Sequence, residues 1–253
     1  SNTIELLKRY PDATFVQSQA VLYDMVKKTY PELMPKIKEL VNVGQWDIIG
    51  NSWVEADTNI ASGESLIRQL LYGEQFFRRE FGVTSDTYWL PDCFGFSPAL
   101  PQIIKKCGMK YFITAKLVGN DTNTFPHTLF KWRGTDGSEI IGHCHRTHYG
   151  DEYDVAKVKS AWARNENKGV TETMLGMYGY SDGGGGPTYG MVENGRRISR
   201  VPGLPASRPG HVSEFLARAE AHADELPVWE GELYYENHRG TYTSQAFIKK
   251  NNR

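Results

Sequence analysis

The chain has 253 residues, 40% of them apolar and 23% charged, with a net charge of −1. That length holds one large α/β domain or two small ones, and a near-neutral balance gives no reason to expect a nucleic-acid or membrane partner. No apolar run approaches the length of a membrane span, and three scattered cysteines, Cys93, Cys107 and Cys144, are too few for a disulfide framework or a cysteine-rich zinc site, which suits a reducing, cytoplasmic compartment.

Residues 1–10 carry no secretory signal, and "SNTIELLKRYP" reads as the end of a helix, so the chain is expected to begin inside a larger protein. Short β-branched and aromatic runs then alternate with longer helical patterns. The strand candidates are "TFVQ" (14–17), "WDIIG" (46–50), "TYWL" (87–90), "YFIT" (111–114), "EIIGHC" (139–144), "MLGMYGY" (174–180) and "VWEGELYY" (228–235). The clearest helix runs from 62 to 81, with Leu66, Leu70, Glu74 and Phe77 on one face. Ser62 can cap its start and Gly82 can end it. Further helices are expected over 31–43, 98–107, 154–166, 187–198 and 211–223. "KWRGTDGSEIIG" (131–142) reads as a hairpin turning at Asp136 and Gly137, and "VPGLPASRPG" (201–210) as a loop. This alternation predicts a mostly parallel sheet with helices outside. An open doubly wound sheet and a distorted barrel are equally compatible with the spacing.

In parallel α/β folds, reactive groups sit on the loops that leave the C-terminal ends of strands. Past "WDIIG" come Trp53, Glu55 and Asp57; past "TYWL" comes Asp92; past "YFIT", Lys116. Past "EIIGHC" come His145, His148, Tyr149 and Asp151; past "MLGMYGY", Asp182; past "VWEGELYY", Glu236, His238 and Arg239. Carboxylates dominate, and no serine or cysteine has a recognisable nucleophile setting. Asp92 and Asp182 at one mouth can divide the roles of nucleophile and general acid/base, as in glycoside hydrolysis; each is also a residue type that turns and caps favour. "YSDGGGGPT" (180–188) lets the backbone approach a ligand closely, and it lacks the Lys–Ser/Thr of a phosphate loop. His238 reads either as a structural histidine or as half of a metal site with Asp92. "GHCHRTH" (142–148) is a second metal candidate, because His143 and His145 share one strand face. Six tryptophans and fourteen tyrosines suit a sugar cleft, or simply an aromatic core.

Four stretches, "GQWDIIGNSWVEADTNIASGESLIRQLLYGEQFF", "WLPDCFGFSPALPQI", "YSDGGGGPT" and "GELYYENHRGTYTSQ", together resemble glycoside hydrolase family 38, the retaining α-mannosidases, in its bacterial and cytosolic-type branch. The resemblance covers the chain in order. It implies that 1–253 is one α/β catalytic domain, a distorted, mostly parallel seven-stranded barrel, without the helical bundle and β-rich domains that follow it in the family. It implies cleavage of terminal α-mannosyl residues from an oligosaccharide or glycoside, with retention through a mannosyl-aspartate. Asp92 would be nucleophile and zinc ligand, His238 a second ligand, and Asp182 the general acid/base. Phe94, Lys116, Tyr149, Asp151, Trp53, Asp57 and Arg239 would line the substrate site. The full-length protein is expected to be a cytoplasmic homo-oligomer. The family's two other zinc ligands form a His-x-Asp pair after the first barrel strand, N-terminal to everything matched here. That strand and half of the ligand set are therefore expected to be missing. The competing reading is a catalytically inactive carbohydrate-binding domain of the same fold.

Overall fold

The computed structural model describes residues 2–146, 150, 152–238 and 240–251, with the backbone alone at Lys249. Helix α1 (Asn2–Arg9) leads into β1 (Phe15–Gln17), α2 (Ala20–Thr29), α3 (Met34–Asn42) and β2 (Trp46–Ile48). Strands β1 and β2 pair in parallel, Val16 opposite Asp47. Next come α4 (Gly63–Phe81), β3 (Thr87–Trp89), α5 (Leu100–Lys106) and β4 (Tyr111–Thr114). The hairpin of β5 (Leu129–Arg133) and β6 (Glu139–Cys144) follows, then α6 (Val155–Ala163), α7 (Tyr189–Ile198), α8 (Val212–Glu220), β7 (Val228–Glu230) and α9 (Ala246–Asn251). Strands β3 to β7 form one mixed sheet in the order β3-β4-β6-β5-β7, antiparallel only between β5 and β6.

The α/β class is as expected, and closure of the strands into one barrel is not seen among the described residues. Among the described residues they form a five-stranded and a two-stranded sheet, with no ladder from β2 to β3. The stretch 174–180 is not a strand either. Its alternation is real, since Leu175 and Met177 pack against one core cluster and Tyr178 against another. What it lacks is a neighbouring strand to exchange backbone hydrogen bonds with; only the Tyr180–Gly186 bridge forms. Strand β7 is shorter than 228–235, and beyond it Leu233 pairs instead with Phe96. The sequence reading also passed over α2.

Alternation along the strands buries both faces of the five-stranded sheet. Tyr88, Phe112, Phe130, Trp132 and Ile140 face a cluster shared with α4 and α5. Trp89, Tyr111, Ile113, Leu129 and Ile141 face Val212, Phe215, Leu216 and Ala219 of α8. Helix α4 links the two sheets. Its Leu66 and Leu70 join the first cluster, while Phe76 and Phe77 join the core under β1 and β2. Its ends are as predicted: Ser62 accepts from the Ser65 N–H at 3.2 Å, and Gly82 closes the helix at φ 71°. The buried stripe runs through Gly73 rather than Glu74, whose carboxylate pairs with Arg78 on the outside at 2.6 Å. The hairpin turns where expected, with Gly137 at φ 81°.

Gly73 is where α4 touches the loop after β2. A Cβ there would lie 2.3 Å from the Asn51 carbonyl oxygen and 2.6 Å from the Trp53 nitrogen. In an exposed helix interior, Gly→Ala stabilises by about 1 kcal/mol. Here the backbone clash should reverse the sign, with Gly73→Ala costing about 2 kcal/mol. Urea denaturation measures this; a more stable variant would show that the 51–53 segment can move away from α4 freely.

Candidate active site

Past β3, the chain turns through Pro91 to Phe96, and neighbours on two sides hold that turn. On one side, Cys93 Sγ donates to Ala56 O at 3.3 Å, Thr58 Oγ1 to Gly95 O at 3.2 Å, and Asn59 Nδ2 to Phe94 O at 3.2 Å. On the other, Phe96 and Leu233 exchange backbone bonds of 2.9 and 3.0 Å, and the Phe94 N–H donates to Tyr242 Oη at 2.8 Å. Asp92 therefore projects from a turn whose backbone is tied to three distant segments.

Asp92 Oδ1 lies 2.5 Å from Lys116 Nζ, which the turn after β4 supplies. The carboxylate is 43% exposed and the lysine 19%, so the anion faces the opening and its counter-charge lies behind it. Lys116 also sits 5.4 Å over the Phe94 ring. Phe94 in turn packs between Tyr235 and Tyr242, with His238 edge-on at 5.0 Å.

Asp182 stands at the tip of a loop closed by paired Tyr180–Gly186 backbone bonds of 2.9 Å each. Its φ is 51°, a left-handed conformation that aspartate tolerates better than most side chains. The loop packs tightly, since a Cβ on Gly184 would lie 2.7 Å from Tyr180 Cβ. Asp92 and Asp182 line the same cleft, of about 1510 Å³, together with Gln17, Ser18, Glu55, Trp89 and residues 172–183.

The other predicted residues divide. Phe94 and Lys116 stand at Asp92. Trp53 packs edge-on against Phe76 at 5.9 Å, and its N–H donates to the Gln69 carbonyl of α4, a structural arrangement. Asp57 caps its own turn, accepting from the N–H groups of Asn59 and Ile60 at 2.9 Å each. Glu236, noted beside His238, accepts three N–H bonds from the 121–123 loop, which hold its carboxyl below the usual range. Tyr149, Asp151 and Arg239, like His148, lie outside the described residues.

His238, at φ 62°, is exposed and lines a separate hollow of about 650 Å³ with Glu236, Asn237 and Thr241. Among the described residues, no group of three or more His, Cys, Asp and Glu side chains converges as metal ligands. Asp92 and His238 are thus at most two donors, one of them held by Lys116, and they do not by themselves complete a zinc site. The chain does contain one His-x-Asp triplet, His222-Ala223-Asp224. It lies between α8 and β7, with His222 beside Glu225 at 3.0 Å, and takes no part in the cleft.

Glu55 lines the cleft too and is not among the predicted site residues. Glu55 accepts from Ser18 Oγ at 2.7 Å, and burial pushes its carboxyl up to about 7, with the charge of Asp92 adding to the rise and the Ser18 bond opposing it. The rule of reading just past each strand names Glu55 after β2. Applied to β1 it also gives Ser18, an uncharged residue that such a reading passes over.

The model of the glycosyl hydrolases family 38 N-terminal domain matches residues 1–232. The chain belongs to that family. It is 44% identical to alpha-mannosidase G of Dictyostelium discoideum, covering 100% of this chain and 23% of that protein. It is 41% identical to human alpha-mannosidase 2C1, covering 99% of this chain and 24% of that one. The chain therefore spans about a quarter of the length of the curated relatives it matches. In structure it is similar to an alpha-mannosidase from Enterococcus faecalis V583, at a TM-score of 0.78 and 21% identity over 92% of this chain and 27% of that one, a likeness of fold. Among the described residues, no helix is long and apolar enough to cross a membrane.

The second histidine candidate has a different character. His143 is completely buried, edge-on to Phe215 at 4.9 Å, and neither ring nitrogen has a hydrogen-bond partner. Burial, then the neighbouring His145 and Arg146, push it well below the ordinary histidine range, and burial brings His145 down to about 4. A buried neutral histidine refuses a proton that the unfolded chain accepts below about pH 6.5, so its contribution to stability is lost as pH falls. His143→Gln should flatten the fall in unfolding free energy between pH 6.5 and 5 by roughly 1 kcal/mol per pH unit. Urea melts at the two pH values read the slope; parallel slopes would mean that His143 is protonated in the folded protein.

Proposed function

We propose that the full-length protein is a retaining α-mannosidase and that this chain carries its two working carboxyl groups. The observation that carries the reading is that Asp92, with Lys116 as counter-charge, shares one cleft with Asp182 in a chain of family 38. The relatives that span it end to end are named alpha-mannosidases.

In the first half-reaction, the protonated Asp182 carboxyl gives its proton to the glycosidic oxygen. An Asp92 oxygen attacks the anomeric carbon, the bond to the leaving group breaks, and an alcohol departs. The sugar is left as an ester on Asp92. In the second, the Asp182 carboxylate takes a proton from water as the water oxygen attacks the same carbon. Mannose leaves with its configuration retained, and both carboxyl groups return to their starting states. Lys116 places a positive charge beside Asp92 and restrains its carboxyl group in one position for attack. Asp182, exposed at the tip of its loop, lines the same cleft as Asp92. Phe94 offers an aromatic wall beside the nucleophile. Asp92 and His238 are the ligands this chain would offer to the zinc ion implied by the resemblance; no step above depends on it. The same reading makes the parent protein a cytoplasmic homo-oligomer acting on a mannosyl oligosaccharide or glycoside.

The test uses full-length protein and an aryl α-mannoside. Asp92→Ala should lower kcat by at least about 10⁴-fold, since a covalent route is lost, and Asp182→Asn by about 10²–10⁴-fold. Substrates with very acidic leaving groups should be spared by Asp182→Asn in the first half-reaction only, visible as a burst of phenolate. Unchanged turnover in either variant removes that residue from its role.

A further inference from the structure

Glu55 is a cleft carboxyl that no step above uses, and the protein invests heavily in holding it. The segment carrying it is tied to the turn after β1 by Ala20 N–H to Ser52 O at 3.0 Å, Val21 N–H to Trp53 O at 3.1 Å, and Glu55 N–H to Gln19 Oε1 at 3.3 Å. On its other side, Gln69 of α4 accepts from Trp53 N–H at 2.9 Å and, through its side chain, from Val54 N–H at 3.1 Å. Gly73 lets α4 press directly on the same backbone. A loop clamped from both sides presents its side chain in one position, which is what a recognition group requires.

The carboxyl itself is only partly satisfied. Ser18 Oγ–H donates to Oε1 at 2.7 Å. Among the described residues, no other hydrogen bond and no ion pair reaches the Glu55 carboxyl group. A carboxyl largely withdrawn from water, with an oxygen left over and no cation beside it, is costly unless a ligand completes it. The charge of Asp92 acts on it, and the two line the same cleft. Hydroxyl groups, which a sugar carries on nearly every carbon, are donors that such an oxygen can accept from.

We infer that Glu55 is a substrate-binding residue, accepting hydrogen bonds from hydroxyls of the sugar held at Asp92, and that Ser18 is the positioning residue that aims it. This rests on the α-mannosidase reading. It gives the cleft a division of labour: Asp92 meets the anomeric carbon, and Glu55 holds the ring that carries it.

The experiment uses the full-length protein, an aryl α-mannoside for turnover, and methyl α-mannoside for calorimetric binding. Glu55→Gln keeps the shape and the Ser18 bond but loses the charge, so kcat/KM should fall roughly 10- to 100-fold with an unchanged melting temperature. Glu55→Asp, which keeps the charge but shortens the reach, should also fall. Ser18→Ala should raise KM more than it lowers kcat, and Ser18→Thr should restore it. The inference is overturned if wild type is active and Glu55→Gln stays within twofold of it in both turnover and binding. It is equally overturned if the losses follow a lowered melting temperature in all variants, the mark of a merely structural carboxyl. A wild-type protein that neither cleaves nor binds the mannoside instead overturns the α-mannosidase reading, and this one with it.

Discussion

The exchange of backbone hydrogen bonds between Phe96 and Leu233 is the constraint on which the site depends. It joins residues far apart in sequence and brings the turn after β3 against the segment after β7. Without it, Asp92 would sit on a loop with one anchored end. With it, Phe94 is placed among Tyr235, Tyr242 and His238, and the Tyr242 hydroxyl can accept from the Phe94 N–H. The bridge forms because both sides already have burial to drive it. Phe96 and Leu233 are two of the most deeply buried side chains in the cluster beneath the five-stranded sheet. Hydrophobic burial fixes the two positions, and the backbone bonds then fix their register.

A similar logic governs the far side of the cleft. Helix α4 belongs to two cores at once, and Gly73 is the point where it can approach the loop after β2. That approach lets the Gln69 side chain and carbonyl satisfy two N–H groups that no strand partner claims. The Glu55 loop is therefore rigid without belonging to a sheet. Two sheets that share no ladder are held in register by a helix and by side chains, and the cleft lies where they meet.

The sequence made a good part of this legible. Strand ends and helix caps depend on local chemistry, so Ser62, Gly82 and the hairpin glycine could be read directly, and so could the positions of Asp92 and Lys116 just past β3 and β4. What could not be read depends on partners distant in the chain. The 174–180 stretch has the alternation of a strand, but alternation reports burial on two sides and not the presence of a neighbour to bond with. Asp57 and Glu55 lie two residues apart and look alike in sequence. One spends its carboxylate on its own turn, while the other bonds to Ser18 from the turn after β1 and lines the cleft. Trp53 packs against Phe76 and bonds to α4, contacts that depend on a helix distant in the chain. His238 stands edge-on to Phe94 and opens onto a different hollow from the two aspartates.

Among the carboxyl groups that line the cleft, Asp92, Asp182 and Glu55 have three different settings. Asp92 is paired with a sheltered lysine. Asp182 stands exposed on a glycine-rich tip, without an ion pair among the described residues. Glu55 is withdrawn from solvent and bonded to a hydroxyl, a setting that charge tolerates poorly and that a ring of sugar hydroxyls would improve. Acid–base chemistry at neutral pH requires chemically identical groups to behave differently, and environment is the only means a protein has to separate them. Here the separation comes from what stands behind each carboxyl, a cation, open water or a hydroxyl. Each of those backing groups is put in place by a different element of the fold.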